Sequence, residues 1–188
     1  MTDNSTGRRT TAGGVLGAAT VAMGLIAGVF YIFACDIMPS LARSDDRVYI
    51  EVMQNINDVI QNPVFFLSFM GALLLTAISA WQVRSFGRLR WWVWAALIAY
   101  ALTFLFTVVV NIPLNNRLAD AGDPAKIADP AAVRQKFEDA WVAWNVVRAL
   151  LSTIALGCLA RALVLYGRIN RRQASAYLES AAGSSASR

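Results

Sequence analysis

The stretch WWVWAALIAYALTFLFTVVV, residues 91–110, contains no charged side chain over twenty consecutive positions. A helix of about 20 apolar residues is long enough to span the hydrocarbon core of a bilayer, which is about 30 Å thick. Two further uncharged runs, residues 12–34 and 64–83, meet the same requirement. The sequence therefore predicts several membrane-spanning helices rather than a soluble domain.

A fourth apolar run, residues 144–166, is equally long but contains Arg148 and Arg161. The chain is 57% hydrophobic and only 15% charged, with a mean hydropathy of +0.48. We predict an all-α fold, a four-transmembrane-helix antiparallel bundle with an additional outer amphipathic helix. The predicted parts are a disordered N-terminus at 1–11, a membrane domain at 12–167 with spans at about 12–35, 64–83, 91–110 and 144–166, and a basic then polar tail at 168–188.

The distribution of charge predicts the orientation of the bundle. Arginines cluster before the first span, between the second and third spans, and at the end of the fourth. The two remaining loops, residues 36–63 and 111–143, hold ten of the twelve acidic residues. The positive-inside rule then places both termini in the cytoplasm and both long loops outside the cell membrane. The net charge of +5 is interpreted as this topology signal, and no nucleic-acid partner is expected because no binding motif accompanies it.

The first outer loop contains an amphipathic pattern in DDRVYIEVMQNINDVIQN, residues 45–62. Its apolar positions fall three and four residues apart, as in a helix with one apolar face; these positions are Val48, Val52, Ile56 and Val59. We expect Pro39 to end the first span and Pro63 to begin the second, because proline suits a first helical turn but not a helix interior.

Glycines at positions 24 and 28 give the first span the spacing typical of close helix packing. This face is expected to contact a neighbouring helix of the same chain, or to form a homo-oligomer through the same glycines.

Metal and disulfide chemistry is not expected. The chain has no histidine, which is the commonest general base and metal ligand. Cys35 and Cys158 lie at predicted depths that differ by about 20 Å along the helix axis, too far apart for a disulfide. We therefore predict no metal site.

Polar side chains are predicted to meet at the outer end of the bundle, where bundles often build ligand sites. One stripe on the fourth helix, at spacings of three, one and three, carries Trp141, Trp144, Asn145 and Arg148. The facing ends contribute Asn111 and Asn115 from the third helix and Met53, Gln54 and Asn57 from the amphipathic helix.

Arg148 raises the functional question, because an ionisable residue within a membrane segment is costly and usually functional. Two interpretations remain open. Arg148 and the asparagines either form a polar clamp that fixes the helices, or they line a pocket and keep some donors free for a ligand.

Three motifs together resemble the anthrone oxygenase-like family of small integral membrane proteins. They are MPSLARSDDRVYIEVMQNINDVIQNPVF (38–65), NIPLNNRLAD (111–120) and WVAWNVVR (141–148), and the similarity covers about residues 15–165. The resemblance implies a four-helix membrane bundle. It also implies the activity named for the family, the oxidation of an anthrone to an anthraquinone in polyketide pathways.

The resemblance assigns roles to particular residues. The family pattern falls on Met53, Gln54, Asn57, Asn62, Pro63, Asn111, Pro113, Asn115, Arg117, Trp141, Trp144, Asn145 and Arg148. Arg148, Asn111 and Asn145 are the candidate donors to a developing oxyanion. Met53, Gln54, Asn57, Asn115, Trp141 and Trp144 are the candidate substrate-binding residues. Many relatives have a histidine where this chain has Val146, and this departure bears on catalysis more than on fold.

The implied function is that of an oxygenase that acts on a lipophilic aromatic substrate, anthrone- or quinone-type, with O₂ as co-substrate and no cofactor. A proton acceptor is also needed, and the candidates are Asp139, Asp58 and Asp36. The alternative is a non-catalytic membrane protein that binds a lipid or small lipophile, or that scaffolds a partner.

Overall fold

The computed structural model describes the backbone of residues 3–186 and the side chains of residues 11–177. All regular structure in this part of the chain is helical. The α-helices are α1 (Asp3–Ile32), α2 (Met38–Leu41), α3 (Asp46–Val59), α4 (Pro63–Gln82), α5 (Gly87–Phe106), α6 (Ile112–Asp120) and α7 (Pro130–Ala186). Two π-helical turns, Phe33–Ile37 and Thr107–Asn111, and a short 3₁₀ turn, Pro124–Lys126, complete it.

Four helical stretches are long and apolar enough to cross a bilayer: Thr11–Leu41, Pro63–Gln82, Gly87–Asp120 and Pro130–Tyr177. The predicted all-α four-span bundle is confirmed, and the chain is a multi-pass membrane protein. The spans are longer than predicted, because the segments expected to be loops are mostly helical. The predicted disorder at 1–11 and the tail at 168–188 fall partly or wholly outside the residues whose side chains are described, and both stay predictions.

A core of small and aliphatic side chains runs along the bundle axis. It includes Leu16, Met23 and Ile26 from α1, Ala72 and Ala80 from α4, Val93 and Ala96 from α5, and Ala155 and Leu159 from α7. Alanine at these contacts lets helix backbones approach closely, which is how helices pack in a membrane. A Cβ on Gly24 would lie 3.8 Å from Leu156, while one on Gly28 would meet nothing within 4 Å. Gly24 therefore faces α7 of its own chain, and the homo-oligomer stays a prediction.

A second core closes the distal end of the bundle, defined here as the end farthest from the chain termini. Helix α3 lies across it and buries Tyr49, Ile50 and Met53 against Leu118 and Phe137. The predicted helix is confirmed, and Asp45 caps it by accepting from the Arg47 backbone N–H at 2.9 Å.

The predicted apolar face of α3 is wrong in part, since Val48 and Val59 are exposed, the latter by 72%. Tyr49, Ile50 and Met53 have the same three- and four-residue spacing as the predicted set, so periodicity alone does not choose between the two faces.

The expectation that Pro39 ends the first helix is also wrong. Pro39 and Pro113 each lie two residues after the end of a π-helical turn. In the first turn the Met38 N–H donates to the Phe33 carbonyl, five residues earlier. In the second turn the Ile112 N–H donates to the Thr107 carbonyl, also five residues earlier. A proline in a regular α-helix clashes with the carbonyl four residues earlier. The widened turn precedes each proline, and the helix continues past it.

Candidate functional site

A cavity of about 180 Å³ lies near the distal end, between α1, α3, α4, α6 and α7. Its walls are largely aromatic and come from Phe30, Phe33, Phe65, Phe66, Phe69 and Trp141. Four asparagines, one glutamine, one threonine and Arg148 supply the polar part of the lining. Arg148 is the only lining residue with a titratable side chain, so the cavity is apolar, flat-walled and carries one positive charge.

Arg148 is only 5% exposed. Its Nη2 donates to Asn145 Oδ1 at 3.1 Å, and its Nη1 lies 3.4 Å from Thr107 Oγ1. The guanidinium carbon lies 4.5 Å from the centre of the Phe30 ring and 5.5 Å from that of Trp141. Nε has no hydrogen-bond partner. The side chain is thus held by two neutral oxygens and two aromatic faces.

No carboxylate answers this charge within the part of the chain whose side chains are described. The ion pairs found there join Lys126 to Asp123 and Arg134 to Asp46 and Glu138, all on the distal surface. A guanidinium has five N–H donors, and a buried charge is costly unless it is paired. Arg148 therefore has both the spare donors and the electrostatic reason to bind a negatively charged or strongly polarised oxygen.

Side-chain hydrogen bonds join α7 to α6 and to α1. Asn115 Oδ1 accepts from Trp141 Nε1 at 2.8 Å, and Asn145 Nδ2 donates to the Phe30 carbonyl at 3.1 Å. Seven residues separate Trp141 from Arg148, which is about two turns of α-helix. Their partners, Asn115 and Thr107, are eight residues apart. The π-helical turn at Thr107–Asn111 absorbs the extra residue, so both partners face α7.

The structure brings five of the predicted site residues to the cavity: Asn57, Asn115, Trp141, Asn145 and Arg148. The other four lie elsewhere. Asn111 is 1% exposed, but it does not line the cavity, and neither of its side-chain polar atoms has a partner. Met53 is in the distal core, and Trp144 packs on Phe106 with ring centroids 4.7 Å apart.

Gln54 links α3 to α6 through hydrogen bonds and does not line the cavity. Its Nε2 donates to the Leu118 carbonyl at 2.8 Å and to the Gly122 carbonyl at 3.1 Å. Gln54 therefore faces α6, whereas Ile56 and Asn57 are the residues of α3 that line the cavity.

We expect Gln54→Met to lower the free energy of unfolding by about 1–3 kcal/mol, since it removes the donor to the Leu118 carbonyl, a partly buried contact. Asn55→Met is the matched control, because Asn55 is an exposed amide on the same helix and such changes usually cost under about 0.5 kcal/mol. Thermal unfolding in detergent measures both. A Gln54→Met protein of unchanged stability that binds ligand poorly would contradict this stabilising role of Gln54.

The phenylalanine walls were not predicted. Phe65, Phe66 and Phe69 lie in a span that is apolar on every face, so the sequence does not separate cavity-facing from lipid-facing rings. The candidate proton acceptors Asp36, Asp58 and Asp139 are all exposed, and none lines the cavity.

Val146, the position at which the family resemblance implies a histidine, is 39% exposed and does not line the cavity either. The departure expected at this position therefore leaves the cavity lining unchanged.

Among the residues whose side chains are described, no group of three or more His, Cys, Asp or Glu could hold a metal ion.

Comparison with known proteins identifies a family for this chain. No curated protein and no solved structure matches the chain. The model of the anthrone oxygenase family matches residues 64–158, just over half of the 188 residues. That segment contributes Arg148, Asn145, Asn115 and most of the aromatic walls of the cavity, and the chain belongs to the anthrone oxygenase family.

Proposed function

We propose that the protein oxidises a lipophilic aromatic substrate of the anthrone type with O₂. An anthrone carries a methylene group between two aromatic rings. Its conversion to an anthraquinone removes both methylene hydrogens, places one oxygen atom of O₂ in the new carbonyl and releases the other as water. The electrons come from the substrate and are taken up by O₂, so no further reductant or oxidant enters the balance.

One observation carries this proposal: a buried guanidinium, unpaired with any carboxylate among the described side chains, opens into an aromatic-walled cavity. Pre-oriented donors at the place where negative charge develops are among the strongest contributions to catalysis. Arg148 and Asn145 supply such donors beside Phe30 and Trp141. The nearly parallel rings of Phe65 and Phe69, with centroids 5.6 Å apart, suit a flat polycyclic ligand.

The second candidate function is non-catalytic binding of a lipid or small lipophile, with scaffolding of a partner as its variant. The lining favours it in one respect, because it contains no carboxylate, phenol or thiol that could accept a proton. The two candidates differ in whether O₂ is consumed.

Turnover of 1,8-dihydroxyanthrone by the purified protein tests the proposal. Anthraquinone formation and O₂ uptake should rise together, with one O₂ per product, above the rate in detergent alone. Ile56→Trp, which fills the cavity from α3, should lower this rate by about tenfold or more. Val59→Trp adds the same ring at an exposed position of α3 and should stay within about twofold. Binding of the anthrone without O₂ uptake would favour the non-catalytic candidate.

The proposed setting is a cell membrane with both termini in the cytoplasm, supported by the arginine asymmetry. Cysteine at Ala125, in a Cys35→Ala background, should react with a membrane-impermeant thiol reagent in intact cells. Cysteine at Ser85, in the turn between α4 and α5, should react only after lysis; both positions are exposed. The reverse pattern would overturn the orientation.

We propose that no metal or organic cofactor takes part, because the chain has no histidine and the lining offers only amides, a hydroxyl and a guanidinium. Elemental analysis with stoichiometric copper, iron or zinc would contradict this.

A further inference from the structure

We propose that the cavity takes its ligand as an oxyanion, an aromatic phenolate or enolate whose proton has already passed to solvent, and that Arg148 does the work that a general base would otherwise do. This inference rests on the proposed function for the aromatic class of ligand. It adds the protonation state of that ligand and the origin of its charge.

Among the residues whose side chains are described, the lining contains no proton acceptor. Apart from Arg148, its polar groups are the amides of asparagine and glutamine and the hydroxyl of Thr107, none of which is a base near neutral pH. Thr107 already donates to the Thr103 carbonyl at 2.9 Å.

The elements packed around Arg148 bring no base from behind the lining. Helix α4 has no titratable side chain between Pro63 and Gln82. In α5, Tyr100 is held away, since its hydroxyl donates to the Phe69 carbonyl at 2.9 Å. In α7, Glu138 is bound to Arg134 at 2.6 Å.

Other titratable side chains of these elements are exposed and do not line the cavity. They include Cys35 and Asp36 after α1, Glu51 and Asp58 on α3, Arg117 and Asp120 on α6, and Asp139 and Arg161 on α7. Asp46 and Arg47 of α3 bond to Arg134 and to carbonyls of the distal loop, Pro124 among them.

Tyr49 of α3 is fully buried in the distal core, away from the lining. Its burial, reinforced by nearby Glu138, raises the pKa of its hydroxyl well above the usual range, so it stays protonated.

The unpaired charge of Arg148 favours the ionised form of an acidic ligand. An opposite charge within a few ångströms favours the ionised form of an acid and lowers its pKa. Among the described side chains only neutral oxygens hold Arg148, so no carboxylate there cancels its field. A neutral ligand leaves the buried charge unpaired, whereas an oxyanion pairs it. The proton released by the ligand goes to water or buffer, because no lining group can take it.

A coloured probe measures the pKa of the bound ligand directly. Hydroxyanthraquinones absorb at longer wavelength when ionised, so the absorbance of bound 1,8-dihydroxyanthraquinone reports its protonation state. We expect its pKa to fall by about one unit or more on binding to the wild-type protein, relative to the same detergent without protein. One unit corresponds to a tenfold preference for the anion.

Three variants and one further probe complete the design. Arg148→Met should abolish the shift, and Arg148→Lys should keep part of it. Arg161→Met should keep all of it, because Arg161 is an exposed arginine of the same helix outside the cavity. The non-ionisable 1,8-dimethoxyanthraquinone should bind the wild-type protein and Arg148→Met within about threefold, which also shows that the variant is folded.

An unshifted pKa in the wild-type protein, an equal shift in Arg148→Met, or no binding of the hydroxy probe at any pH would each overturn the inference. The titration involves no oxidation and is therefore separate from the turnover assay. A shifted pKa without turnover would leave the inference standing and refute the proposed function. Turnover with an unshifted pKa would do the opposite.

Discussion

Replacement of Arg148 by methionine should lower anthrone turnover by about tenfold or more, while the thermal stability of the protein stays the same or rises. The side chain is 5% exposed, and no ion pair joins it to a carboxylate among the residues whose side chains are described. An arginine at the centre of a membrane helix costs about 2.5–3.5 kcal/mol on insertion scales, and Arg148, which lies towards the distal end of its span, carries part of that cost. Methionine keeps the apolar stem and removes that cost. Activity falls because the ligand oxygen loses its charged donor. A tenfold loss of rate or affinity corresponds to about 1.4 kcal/mol of lost binding or transition-state stabilisation.

The clamp interpretation makes the opposite prediction. If Arg148 only fixes the helices, its removal leaves Asn145 Oδ1 without a donor, at a cost of about 1–3 kcal/mol for a buried unsatisfied group. Stability would then fall, and activity would fall only as far as folding did. Thermal unfolding and turnover measured on the same preparation separate the two, with Arg161→Met as the matched control.

The second large effect is expected from Thr107→Asp, which places a carboxylate beside the Arg148 guanidinium. Thr107 Oγ1 is 3.4 Å from Nη1, and aspartate is close to threonine in size. An internal carboxylate would pair the charge that a ligand oxyanion otherwise pairs. Turnover and affinity for the hydroxyanthraquinone probe should fall by about tenfold or more, because removing electrostatic complementarity at a buried charge typically costs several kcal/mol.

Thr107→Asn is the control for Thr107→Asp, since it has the same shape without the charge. We expect it to retain most of the affinity and to unfold at a lower temperature than Thr107→Asp. Equal affinities in the two variants would show that the charge of Arg148 is not what the ligand uses.

The fold was largely predictable because charge is absent from long stretches of this chain. A run such as 91–110 has no alternative to a membrane helix, and antiparallel spans bring Arg148, Asn145 and Asn115 to one end. The partners of Arg148 were only partly predictable. Thr107 lies in an apolar run, and nothing in its sequence neighbourhood distinguishes it from a hydroxyl that bonds its own helix.

The ends of the helices were less predictable, because proline is a weaker stop signal than expected when a wider turn precedes it. Pro39 and Pro113 lie inside continuous spans, and α7 begins at Pro130, in a segment whose polar composition predicted a loop. The aromatic walls were missed for a different reason. In a helix that is apolar on every face, periodicity carries no information about which rings face the protein.

The widened turn at Thr107–Asn111 has a consequence for insertions and deletions. Each residue of an α-helix advances the chain by 100°, so eight residues of regular helix end about 80° past two full turns. Deleting one residue between 108 and 110 would leave a regular helix of unchanged apolar character. It would leave Thr107 and Asn115 seven residues apart, so both would still face α7, but the widened turn before Pro113 would be lost. The deletion would preserve the hydropathy profile and the number of spans, yet it would place Pro113 in a regular helix, where a proline clashes with the carbonyl four residues earlier. One additional residue, and not the composition of the span, therefore accommodates Pro113.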